Sequence, residues 1–370
     1  MSELKTNKIS TNDQNNVAID NALGLKSYTT AQRDALTSVA GDIIYNSTTA
    51  GIEYYDGSSW ITPGAVSGTL SVDYLVIGGG GGGGAGNYYD ATGGGGAGGY
   101  RTSYGSGNIS GRLSPVESSL TLNAGDMYTV VIGAGAAAAR TYTSQGGDTT
   151  FHTIVSAGGG GGGGSFYSDQ GDTFPARDGG SGGGGGLARE ENINTSGALG
   201  TANQGFDGGN AQQGTGTEPR SGGGGGGAGQ AGQNAIANYT GGDGGDGIQS
   251  SITGSAVYRG GGGGGSGNYD QGGTWGTGGL GGGATSVSAG AGAAGTANTG
   301  GGGSGANPGG GGAHQFGGAG GSGTVILRYP NTHTISLGVG LTSTNGEQTD
   351  GTDKYIEINS GAGAVRFLPA

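Results

Sequence analysis

Few residues of this 370-residue chain are typed and spaced for chemistry. The three histidines, His152, His314 and His333, show no ligand spacing such as H-x-x-x-H, and there is no cysteine to supply a thiolate. Without cysteine there are also no disulfides and no thiolate zinc site, which leaves the redox compartment open. No G-x-S-x-G nucleophile elbow occurs. Glu190-Glu191 is an isolated acid pair, which more often marks a solvated surface than a glycosidase dyad. Catalytic residues are therefore expected to be none. The stretch GGDGGDGIQ (241–249) fits the calcium nonapeptide G-G-x-G-x-D-x-U-x, with Asp246 as ligand and Ile248 pointing inward. Calcium takes six to eight oxygens and such repeats work in tandem. The sequence has one copy, so Asp246 is a weak candidate, and the expected cofactor content is none.

VDYLVIGGGGGGG (72–84) has the outline of a dinucleotide-binding turn, a strand running into glycines. That chemistry needs a following helix, whose first N–H groups hold the pyrophosphate, and an acid about 20 residues on. The chain continues instead as GNYYDATGGGGAGGYRTSYG, with no apolar helical period, and Asp90 comes too early. The glycines here bind no phosphate.

Aromatic and arginine side chains cluster between the glycine runs. They are Tyr88, Tyr89, Tyr100 and Tyr104 with Arg101, then Phe166, Tyr167, Phe174 and Arg177, then Arg189, Arg220, Tyr239, Arg259, Tyr269, Trp275 and Phe316. Aromatic faces stack on sugar rings, and arginine forks suit carboxylate and phosphate. The strongest candidates for receptor contact are Tyr88, Tyr89, Tyr100, Tyr104, Arg101, Phe166, Tyr167, Arg177, Tyr269 and Trp275. The competing reading is that the rings cover the sides of the block or a seam between copies, and that each arginine is a solvated charge.

The elements that must position these residues follow from composition. Hydrophobic residues make up 31% of the chain, which contains 102 Gly and only 7 Pro. An ordinary domain has about 45–50% apolar residues, so one conventional core for the whole chain is not expected. Collagen is excluded because Gly does not recur every third residue. The formal net charge of −12 with 14 Lys+Arg argues against a general nucleic-acid partner. MSELKTNKISTNDQNN has no apolar signal region, and no 18-residue apolar stretch occurs, so the chain is expected not to be membrane-embedded.

Four regions are expected. Residues 1–27 are polar. Residues 28–66 read as a short helix over 28–36 and a hairpin of DIIYN and GIEYYDG. Residues 67–330 form a glycine-rich domain opened by VDYLVI (72–77) and closed by TVILRY (324–329), with YTVVIGAG and TTFHTIVSAG as inner strands. Residues 331–370 return to a small β module, with turns near Asn345-Gly346 and Asp350-Gly351.

Glycine runs occur at 78–84, 93–96, 158–164, 182–186, 222–227, 260–265, 300–303 and 309–312. Flexible linkers have no reason to share such similar lengths or to follow strands directly. Without Cβ, backbones approach until their N–H and C=O groups satisfy one another. The expected fold is therefore mostly β and irregular. It has a short N-terminal helix and hairpin, then packed polyglycine-type helices framed by strands, then the small C-terminal β module.

The order VDYLVIGGGGGGG, LTLNAGDMYTVVIGAG, GGDTTFHTIVSAGGGGGG and GGSGTVILRYP resembles the glycine-rich domain of bacteriophage tail fibres and adhesins. SYTTAQRDALTSVAGDIIYNSTTAGIEYYDGSSWI is similar to a short module of phage fibre and virion structural proteins. LKTNKIS is similar to fibre N-termini that attach to the virion, and HTISLGVGLTS…AGAVRF to β modules that follow this glycine domain. The resemblance implies a location on the virion tail, with synthesis in the host cytoplasm and action outside the cell. It implies a homotrimer, and attachment through residues 1–66 to a phage tail or baseplate protein. It also implies recognition of a host surface glycan or outer-membrane protein through the loops. No long coiled coil or triple-β shaft is recognisable, which fits a short fibre or a tip; the alternatives are a purely structural fibre or decoration protein, or a non-viral secreted glycine-rich matrix or ice-binding protein.

Overall fold

A computed structural model describes residues 24–62, 68–86, 90–105, 109–139, 144–165, 173–187, 196–213, 220–236, 239–267, 272–307 and 314–370. The chain divides into two compact units, Met1–Ala65 and Val66–Ala370.

In the first unit, Ser27–Tyr28, Ile43–Asn46, Gly51–Tyr55 and Trp60–Ile61 form one four-stranded sheet in that order. The expected hairpin is present: Ile43 pairs with Tyr54 and Asn46 with Gly51, around a turn in which Ala50 has φ 53°. The segment read as a helix over 28–36 holds only five helical residues, Thr30–Asp34. Its Thr29 cap accepts from the Gln32 N–H, and the Gln32 side chain accepts from the Thr29 N–H. Under the sheet, Asn46 and Glu53 are buried together, and Arg33 Nη1 donates to Glu53 Oε2 at 2.9 Å.

In the second unit, the strands Thr69–Ile77 and Thr324–Pro330 pair antiparallel, Ile77 opposite Thr324 and Asp73 opposite Arg328. They are the centre of a seven-stranded sheet that also includes Asp353–Ser360 and Tyr100–Thr102. A five-stranded sheet runs Ile154–Ser156, Thr149–Phe151, Met127–Val131, Ala362–Pro369, His333–Leu337. Residues 331–370 thus lend strands to both sheets.

The period of two along a strand sends alternate side chains to opposite faces. Val72, Tyr74 and Val76 join Val325, Leu327 and Tyr329 in a core shared with Tyr128, Val130, Phe151, Val365 and Phe367 of the other sheet. Leu75, Ile77 and Ile326 enter a second core with Tyr100, Ile248 and Ile252. Both central strands are therefore buried on two faces, which is why they read as near-continuous apolar runs.

The expected fold class is corrected here. The regular elements are almost all strands in several antiparallel sheets, and the bundle of packed polyglycine-type helices is not found. Residues 78–85, 158–163 and 222–227 are buried and belong to no helix or strand. The longest strands are segments with β-branched or aromatic side chains, which give an apolar face to cover. The glycine segments are held by bonds to other segments. The N–H groups of residues 78–84 donate in turn to the carbonyls of Gly99, Gly147, Gly321, Gly96, Ser144, Gly318 and Gly93. Backbone thus surrounds each run, and a Cβ at Gly80 would lie 2.1 Å from the Gly301 oxygen.

Candidate ligand-binding groove

Among the described residues expected to contact a receptor, Arg101 lines a concave, polar surface. It lies on Tyr100–Thr102, opposite Val76 of the central strand. Alternation buries Tyr100 and Thr102 and turns Arg101 to the other side, half-buried. Arg101 Nε donates to Glu117 Oε1 at 2.8 Å and Nη2 to Glu117 Oε2, a two-pronged fork. Its Nη1 donates to the Val155 carbonyl at 3.2 Å. Glu117 is fixed in turn, because its N–H donates to the Thr102 carbonyl and it accepts from Tyr74 Oη at 3.0 Å.

The facing wall is the turn 200–207. Gln204 N–H bonds back to the Thr201 carbonyl, with Asn203 in the left-handed region at φ 61°. The Gln204 side-chain oxygen accepts from the Ala157 N–H at 2.8 Å, and its carbonyl from Tyr100. Asp207 braces the turn, accepting from Gly200 N–H at 2.8 Å and from Arg112 Nη1 at 2.9 Å. Between the walls lies a groove of 510 Å³ lined by Arg101, Ser114, Glu117, Asn203 and Gln204 among others.

The hydrogen bond to Glu117 comes first among the causes that raise the Arg101 pKa. Burial, then the Glu117 charge, pushes the Tyr74 phenol well above its ordinary value of 10.0. Glu117 accepts from three donors. Arg101 has five N–H donors, of which these contacts use three, so two are left for a ligand oxygen.

This arrangement corrects several expectations about single residues. Tyr100 is not in an exposed loop: its ring is wholly buried in the second core. Tyr104 is half-buried, with the Arg328 guanidinium 5.3 Å from its ring. Arg177 is exposed and Trp275 half-buried, and neither lines the groove. Tyr88, Tyr89, Phe166, Tyr167, Tyr269, Arg189, Glu190 and Glu191 lie outside the described residues. Arg220 and Arg259 are buried rather than solvated, and Arg259 Nη2 pairs with Glu357 at 3.2 Å.

Asp246 holds the backbone of a neighbouring segment. Its Oδ1 accepts from the Leu280 N–H at 2.7 Å, and Asp243 does the same for Thr277 at 2.6 Å. Among the described residues no group of three or more His, Cys, Asp or Glu side chains is placed to hold a metal ion. The GGDGGD spacing thus places two carboxylates on two rungs of a neighbouring segment. Glu117, Gln204 and Asp207 were missed in the sequence: LSPVESS and TANQGFD carry no motif, and their partners lie 16 to 95 residues away.

A family model described as the glycine-rich domain matches residues 56–330. The chain belongs to that family. No curated protein and no solved structure matches it. The matched span opens within the first unit's sheet and closes with the strand Thr324–Pro330, so the glycine-rich domain contains the groove and both central strands. Among the described residues no helix is long and apolar enough to cross a membrane.

Proposed function

We propose that this glycine-rich domain protein is a virion structural protein, a phage tail fibre or receptor-binding adhesin that recognises the host cell surface without catalysing a reaction. It sits on the virion tail as a homotrimer, joined through residues 1–66 to a tail or baseplate protein. Its receptor is a host surface glycan or outer-membrane protein. The observation that carries the reading is the use of the glycine runs. Their buried backbone leaves no room for side chains inside, so long polar and aromatic groups emerge in the segments between runs, as Arg177 and Trp275 do. A scaffold whose interior is backbone and whose variety lies in its connections suits presentation of contacts. The resemblance of the strand-to-glycine junctions to tail fibres supports the same reading.

The test is saturable binding of the fluorescently labelled full chain to a panel of bacterial isolates. Binding to a subset is expected, with Trp275→Ala and Arg177→Ala each weakening it about tenfold, as interface anchors do. Sedimentation velocity on the same protein should give an elongated trimer. Absence of saturable binding to every isolate, or binding unchanged in both variants, overturns receptor recognition by these segments. A compact monomer overturns the fibre.

A further inference from the structure

We infer that the first unit carries its own saccharide pocket, sized for one neutral hexopyranose ring. The pocket is a 390 Å³ concavity lined by residues 33–60 of that unit. One wall is aromatic. Tyr55 and Trp60 are cross-strand partners whose ring centroids stand 5.5 Å apart at 55°, and both rings are half-buried. Such a tilted pair offers a ring face to the C–H side of a sugar while its own packing holds it still.

The rest of the lining is mostly polar, and a hydrogen-bonded turn sets Ser58 and Ser59 within it. Asp56 Oδ1 accepts from the N–H groups of Ser58 and Ser59, each at 2.7 Å, and Asp56 N–H donates to the Ser59 carbonyl. Gly57 makes this turn possible at φ 105°. The Ser58 hydroxyl donates its proton to Asp56 at 2.8 Å, so its lone pairs remain acceptors for the pocket. Ser38 is also in the lining, and its Oγ is buried with no hydrogen-bond partner, a cost that a ligand hydroxyl would remove.

Charge selects a neutral ligand. Arg33 donates from Nε and Nη2 to Asp34 Oδ1 and from Nη1 to Glu53, so two carboxylates offset its single positive charge. An anion gains little there, whereas a polyol finds donors and acceptors side by side. A site of this kind gives weak, ring-stacked binding of one sugar unit.

This inference does not rest on receptor recognition by the glycine runs. Its test is calorimetric titration and saturation-transfer NMR of the full chain with glucose, galactose, mannose, N-acetylglucosamine and N-acetylgalactosamine, and sialic acid as an anionic probe. At least one neutral sugar should bind with a millimolar Kd, while sialic acid binds more weakly. Trp60→Ala should weaken binding more than tenfold, and Ser38→Ala severalfold. Ser38→Ala keeps the question open to a clear answer if Trp60→Ala fails to fold. No neutral sugar bound at roughly 50 mM, about the weakest affinity that matters, overturns the inference. So does preference for sialic acid, or wild-type affinity in the folded variants. The cell-binding assay of the full chain is scored separately, so either idea can fail alone.

Discussion

Gly80→Ala and Gly82→Ala, two positions apart in one glycine run, separate backbone packing from glycine content. A Cβ on Gly80 would lie 2.1 Å from the Gly301 oxygen and 2.6 Å from its carbon. That oxygen already accepts from the Gly321 N–H at 2.8 Å, and Gly80 itself donates to the Gly321 carbonyl at 2.8 Å and accepts from Ala136 at 2.9 Å. Ordinary contact begins at 3.4 Å, so one segment must move by more than an ångström. Two or three backbone bonds are lost at about 1 kcal/mol each. Overpacking adds about 1–3 kcal/mol. Against this, alanine restricts the unfolded chain, worth about 0.4–1 kcal/mol.

The net loss is roughly 3–4 kcal/mol, a large share of the 5–15 kcal/mol typical of a folded protein. At Gly82 the nearest atoms are 3.4 and 3.5 Å from the added carbon, and no residue there needs a positive φ. Gly82→Ala should therefore be neutral or more stable by about 0.4–1 kcal/mol. Differential scanning calorimetry of both variants reads the difference, with Gly80→Ala lowering the Tm of the larger unit by roughly 5–10 °C. A Gly80→Ala protein as stable as wild type, or equal losses at both sites, would refute the claim that backbone-to-backbone contact is what glycine supplies.

Three further outcomes follow from the side chains. Burial raises the Glu53 pKa, but the bonds from Arg33 and Asn46 outweigh it and hold the carboxyl below 4.5. Glu53 therefore stabilises the first unit above the unfolded value near 4.5, and that contribution is lost as pH falls through the depressed folded value. Melting at pH 7 and pH 3 should differ less in Glu53→Gln, which itself costs about 1–3 kcal/mol at neutral pH. A pH response identical to wild type would exclude this role. Arg328 is nearly buried and donates to Asp353 at 2.9 Å, Asp350 at 2.8 Å and the Ile252 carbonyl at 3.2 Å. Arg328→Ala should cost about 3 kcal/mol by urea unfolding, and a loss under about 1 kcal/mol would argue against it. Arg101→Lys replaces a fork with a point charge, so it should lose about 1 kcal/mol, where Glu117→Gln in the Lys background loses almost nothing more. Additive losses would show that the two residues act independently.

Much of the local structure was legible. DIIYN and GIEYYDG form their hairpin, VDYLVI and TVILRY are strands within Thr69–Ile77 and Thr324–Pro330, and HTISL, KYIEI and AVRFLP lie within strands too. Asp350-Gly351 turns one strand into the next, with Gly351 at φ 63°. What misled the sequence argument was run length. Glycine runs of similar length suggest a bundle of helices, yet a run without side chains carries no face of its own. The candidate site was legible only as Arg101. Its ring neighbour Tyr100 gave no sign of pointing inward, since YRT alternates equally well in either sense.

The sequence by itself determined where strands begin and glycine takes over, because strand propensity, turn chemistry and the absence of a side chain act within a few residues. It also determined that the glycines serve backbone packing, since no helix or acid follows them to hold a phosphate. Tertiary structure alone decided that residues 331–370 would enter both sheets, that Tyr100 would be buried and Arg101 held by Glu117, and that Asp243 and Asp246 would hold a backbone 34 residues away. Those outcomes depend on which distant carbonyl or apolar face is within reach. A glycine can accept almost any neighbour, so only the assembled fold chooses among them.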